Sequence, residues 1–139
     1  MFLTENDYKV VIGEASFRTV TQANIDNLSN AEVTAIEEIS GYLRPTYDCY
    51  SIFSAREDDR NRKIVQVACD IALWHLVSCT PAKMGYEIRK ERYDEAIKWL
   101  EGVQKGAIMP DLPMATDNDG SPVGHPVIFG STKRHKNEW

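Results

Sequence analysis

Ile64-Val65-Gln66-Val67-Ala68-Cys69-Asp70-Ile71-Ala72-Leu73-Trp74-His75-Leu76-Val77 is the stretch on which the fold turns. Its apolar residues cover most of a helical wheel and leave only Gln66 and Asp70 as a polar strip. The chain from Arg60 to about Thr80 therefore predicts a central helix buried on nearly all sides, closed by Pro81. Such a helix needs neighbours to cover it, and the flanking sequence supplies them. After a break at Gly85, Glu87 to about Gln104 places Ile88, Tyr93, Ala96, Ile97, Trp99, Leu100 and Val103 on one half of the wheel, with Gly106 as the stop.

Upstream, Ser29-Asn30-Ala31-Glu32 reads as a capping box, with Leu28 and Val33 as its hydrophobic staple. The helix it opens carries Val33, Ile36, Ile39, Tyr42 and Leu43 at helical spacing and ends at Arg44-Pro45. Thr4 caps a short helix to about Ile12, which Gly13 ends. Residues 14 to 28 and 44 to 59 read as connections, with room for a short helix in each. No segment has the period of a strand pair, and no repeat has a solenoid period. The expected class is all-α: a small bundle of about three main helices and one short one.

Periodicity stops near Pro113. Residues 1-113 read as one helical domain, whereas 114-139 gather Gly120, Pro122, Gly124, Pro126 and Gly130 and read as an extended, aperiodic C-terminal arm. Fully extended, that arm reaches about 90 Å. It holds an apolar triplet, Val127-Ile128-Phe129, then Gly130, a basic cluster with Lys133 and Arg134, and an aromatic, Trp139. A segment of this make-up gains order by docking on another protein. Ile128, Phe129, Gly130, Lys133, Arg134 and Trp139 are accordingly the expected partner-binding residues.

A chain of 139 residues with 42% hydrophobic and 27% charged residues fits one globular domain. No apolar run is long enough to span a bilayer, so no membrane role is expected. The first residues, with Glu5 and Asp7, lack the pattern of a secretory signal, which points to synthesis in a cytoplasm. A net charge of -5 argues against wrapping duplex DNA, since that affinity comes from Lys and Arg on phosphates. Cys49, Cys69 and Cys79 form no CxxC pair and suit reduced, structural roles.

Chemistry finds little support. There is no GxxxxGK[ST], GxGxxG or GxSxG, so neither phosphate cradling nor acyl transfer is expected, and the chain reads as a non-enzyme without cofactor. His75 and Cys79 are four apart on the central helix, but no second ligand pair follows, and His75 reads as a hydrogen-bonded core histidine rather than a metal ligand. The Asn27-Leu28-Ser29 sequon has no secretion signal to go with it. Arg56, Arg60, Arg62 and Lys63 crowd the start of the central helix among Glu57, Asp58 and Asp59, a solvated mixed-charge turn. Arg89 and Arg92 fall on the apolar half of the last helix and need an anion. Asp70 is the natural partner, and Asp70 with Arg92 is the expected structural ion pair.

Four segments carry a family resemblance: Phe2-Leu3-Thr4 with Asp7-Tyr8; Glu38-Ile39-Ser40-Gly41-Tyr42-Leu43 followed by Tyr47-Asp48; Asp70-Ile71-Ala72-Leu73-Trp74-His75-Leu76; and Arg92-Tyr93-Asp94-Glu95-Ala96-Ile97-Lys98-Trp99-Leu100 ahead of Gly106. Together they resemble the small helical head-to-tail connector proteins of tailed phages, the adaptor or head-completion proteins, in particular the Mu-like family. The resemblance covers residues 1 to about 113. It implies a structural virion protein at the head-tail junction, forming a homo-oligomeric ring of about twelve copies under the portal. Its partners would be the portal protein, a tail or stopper protein and neighbouring copies, with genomic DNA passing through unheld. The other reading is a free cytosolic helical interaction module, a regulator or inhibitor that binds through its C-terminal tail.

Overall fold

The structure, a computed structural model, describes residues 1–22, 25–78 and 85–122. Among these the fold is all-α: α1 Glu5–Ile12, α2 Glu14–Thr21, α3 Ile25–Leu43, α4 Cys49–Ser54, α5 Arg62–Ser78 and α6 Tyr86–Gln104, with a 3-10 turn at Glu57–Asp59. The central helix is α5, which packs on both α3 and α6, while α3 and α6 also touch each other. Ile64, Ala68, Cys69, Ile71, Ala72 and Leu73 are fully buried, as the near-continuous apolar wheel requires. The short helices α1 and α2 pack on each other, α1 also against α5 and α2 against α3.

The helix ends follow local chemistry. Thr4 and Asp7 close a capping box on α1. Gly13, at φ 81°, ends α1 and leads straight into α2, a backbone angle that side chains resist. Asn61 caps α5, its Oδ1 accepting from the N–H groups of Lys63 and Ile64. Gly106, at φ 77°, follows α6, and the N–H of Ala107 returns to the carbonyl of Gly102 at 2.9 Å.

Several expectations are corrected. Helix α3 begins at Ile25, so Ser29 and Glu32 lie inside it and form no capping box. Glu32 is instead 1% exposed, and its Oε1 accepts the backbone N–H of Leu3 at 3.0 Å, fastening the chain's first residues to α3. Val33, read as a core residue and staple, is 64% exposed, and Ile88 of α6 is 58% exposed. Residues 14 to 21 lie in a connection that had room for a short helix and do form one, α2, where burial of Phe17 and Val20 outweighs the weak helix propensity of Thr19, Val20 and Thr21. Among the described residues three short α-helices accompany the three long ones: α1, the short one expected, and α2 and α4 in the two connections that had room for them. Pro81 and Cys79 lie outside the described residues.

Past α6 the chain returns to the body. Leu112 is buried, the N–H of Asp48 donates to the carbonyl of Pro113 at 2.9 Å, and that of Ala115 to Thr46 at 3.1 Å. Met114 bridges Tyr47 and packs against the core. A tight turn then brings Thr116 opposite Pro122, with Asp117 Oδ1 accepting from the N–H groups of Asp119 and Ser121. Residues 123 to 139 lie beyond the described part.

Candidate assembly surface

Helix α6 brings its polar residues to two different places. On the inner side, Arg89 and Arg92 converge on Asp70 of α5, with Arg92 Nε 3.6 Å and an Arg89 guanidinium nitrogen 4.0 Å from Asp70 Oδ1. The depth is unequal: the Arg92 side chain is 39% exposed, that of Arg89 only 13% and that of Asp70 7%. Neither Asp70 Oδ1 nor the facing Arg89 nitrogen makes a hydrogen bond. Burial pushes the Asp70 carboxyl above its ordinary range, and the charges of Arg92 and Arg89 do not fully offset it. Burial likewise lowers Arg89, helped by the like charge of Arg92. Two cations facing one buried carboxylate leave this corner of the bundle with spare positive charge.

Beside it opens a groove of about 240 Å³ between the α1–α2 pair and the α5–α6 pair, with Val11, Ile12, Val20, Leu73, Val77 and Ile88 among its walls. Arg89 and Gly85 also line it. Gly85 precedes α6 in a left-handed conformation, and no side chain caps the helix there. Only Arg89 brings a charge to a wall that is otherwise mostly aliphatic.

The three long helices are also joined by one carboxylate. Glu38 of α3 receives the Tyr93 hydroxyl of α6 on Oε1 and lies 2.9 Å from His75 Nε2 of α5 on Oε2. Burial first, and the Glu38 carboxylate second, push the Tyr93 phenol up. Trp74 stacks on Tyr93 with centroids 5.6 Å apart and meets Tyr86 at 5.1 Å. His75 is thus hydrogen-bonded but only half-buried, and its partner is a carboxylate that sequence spacing did not expose. A second polar tie holds the N-terminal segment: Arg60 donates to Asp7 Oδ2 at 2.6 Å and to the Phe2 carbonyl at 3.0 Å. Its place in the basic cluster before the central helix hid this role. Among the described residues no group of side chains is arranged to hold a metal ion.

The expected arm residues Ile128, Phe129, Gly130, Lys133, Arg134 and Trp139 lie outside the described residues, so of the expected site residues the structure brings together Asp70 and Arg92.

The family described as Bacteriophage Mu, Gp36 matches residues 2–127. The chain belongs to that family. It is a phage protein, and the Mu Gp36 match runs through all six helices and into the arm. No curated protein and no solved structure matches. Among the described residues no helix is long and apolar enough to cross a membrane.

Proposed function

We propose that the protein is a structural component of the virion, a head-to-tail connector of the adaptor kind that forms a ring under the portal and lines the channel through which DNA leaves. The observation that carries this reading is membership of the Mu Gp36 family over residues 2–127, joined to the resemblance of its helical segments to phage connector proteins. The physical character of the chain is compatible with it. A rigid helical body with a net charge of -5 makes a wall that repels phosphate, so a duplex slides past without being held. The role is mechanical rather than enzymatic. Ring formation requires a heterologous contact that repeats around an axis, and the arm sequence is long enough to reach a neighbour or the portal.

An amber mutation in the gene tests this. A connector role predicts DNA-filled heads and free tails that do not join, with plating restored by the wild-type gene in trans. Normal particles in the mutant would refute it and favour a free cytosolic regulator.

A further inference from the structure

The groove beside Arg89 has no described occupant, and the arm has no described receptor. We infer that the two belong together across copies: the arm of one subunit docks on α6 of its neighbour, Trp139 filling the groove and Glu138 meeting Arg89. This rests on the proposal that copies assemble, and adds which surface receives the arm.

The size is suitable, because a cavity of about 150 Å³ already accepts benzene, and about 240 Å³ between Val20, Leu73, Val77 and Ile88 leaves room for an indole. Charge fits in two places. At the groove wall Arg89 is the one charged residue, held 4.0 Å from Asp70 without a hydrogen bond to it, so a further carboxylate is suited to it, and Glu138 supplies one next to Trp139. On the outer side of α6, Glu87, Glu91 and Glu95 recur every four residues, hence along one stripe. They are exposed and make no ion pair among the described residues; of the two lysines on the same surface, Lys90 is paired with Asp94, which leaves three acids against Lys98. The arm carries Lys133, Arg134 and Lys136 immediately before Glu138. Basic residues followed by an acid and an aromatic thus match an acidic stripe followed by an arginine-floored apolar groove at the N-terminal end of the same helix. Length allows it as well. Fully extended, the residues from Val123 to Trp139 would span about 55 Å, against about 28 Å for the whole of α6. That length is enough for Trp139 to meet an adjacent body.

The test uses the full chain with p-benzoylphenylalanine in place of Asn137, irradiated in purified particles and, separately, as concentrated purified protein. The expected product has twice the chain mass, and its peptides join residue 137 to segments containing Val20, Val77 or Ile88. Glu138→Arg should lower its yield at least tenfold and Trp139→Ala similarly, whereas Glu138→Asp should keep it within twofold. All three substitutions lie in the arm and leave the buried Asp70–Arg89 contact untouched, so a loss of yield reports lost docking and not a lost fold. Crosslinks within one chain, to the portal, or to another face of the neighbour would each overturn the inference while leaving the connector reading intact. Absence of the protein from particles would remove the connector reading, and the purified protein would then decide the groove by the same dimer product.

Discussion

The Asp70 carboxylate on α5 and the Arg89 guanidinium on α6 face each other at 4.0 Å across the seam between the two helices, and neither facing atom is hydrogen-bonded. They are close enough to attract and too far apart to satisfy each other. Arg92 adds its Nε at 3.6 Å from the more open side. Truncating each arginine should therefore have different consequences. Arg92→Ala, at a side chain 39% exposed, should cost about 1 kcal/mol or less. Arg89→Ala, which leaves a deeply buried carboxylate with one distant partner, should cost about 3 kcal/mol. Because the Asp70 carboxyl titrates above its ordinary range, protonation relieves the orphaned charge, so the Arg89→Ala penalty should shrink as pH falls through the folded value. Urea melts at pH 7 and pH 5 measure both effects, and equal penalties for the two variants would contradict the assigned depths.

Asp7 gives the opposite sign. Burial alone would raise its carboxyl, but the Arg60 guanidinium and the Thr4 hydrogen bonds outweigh burial and hold it below its ordinary value of 3.8. A depressed acid stabilises the fold above its unfolded value and loses that contribution as pH falls through the folded one. Wild type should therefore exceed Asp7→Asn by about 2 kcal/mol at pH 7. The gap should hold down to about pH 4 and close below it. Thermal melts of both proteins between pH 7 and pH 2.5 provide the comparison. A gap that stays constant to the lowest pH would show that Asp7 does not act through its charge.

Glu32 and Ser29 separate two accounts of one motif. A capping box would make Ser29→Ala cost about 1 kcal/mol. With both residues inside α3, Ser29→Ala should instead be neutral or slightly stabilising, because alanine is the better helix former. Glu32→Ala should cost about 3 kcal/mol, since it leaves the Leu3 N–H without its acceptor and opens a void beside Tyr8. Chemical denaturation of the two variants decides it.

Where the arm stops contributing to the body is also measurable. Ending the chain after Pro122 should leave the melting temperature within a few degrees of full length, because the backbone bonds of Asp48 and Ala115 and the packing of Met114 are retained. Ending it after Pro113 removes the Met114 bridge to Tyr47 and the Ala115 bond, and should cost about 1 to 2 kcal/mol.

The long helices were legible because burial writes a period into the sequence. Ile64 to Val77 is apolar on nearly all sides and sits at the centre, and Ile39, Leu43 and Leu100 are fully buried where the wheel places them. The polar ties were not legible, for a physical reason. Glu38 meets His75 and Tyr93 across 37 and 55 residues of chain, and Arg60 meets Asp7 across 53, so no local pattern marks either pair. Glu32 misled because its spacing from Ser29 satisfies a local rule that tertiary packing overrides. Asp70 was legible as the partner of the α6 arginines because it is the one acid in a buried stripe, but the sequence alone did not rank Arg89 below Arg92 in exposure.

A head-to-tail connector has a fixed place in the particle, which electron cryo-microscopy of purified virions makes visible. Localised reconstruction of the head–tail junction should show a ring of six-helix bodies directly beneath the portal, with the α5–α6 hairpins repeating around the channel axis. Particles whose junction contains no such ring, and from which mass spectrometry recovers no peptides of this chain, would contradict it.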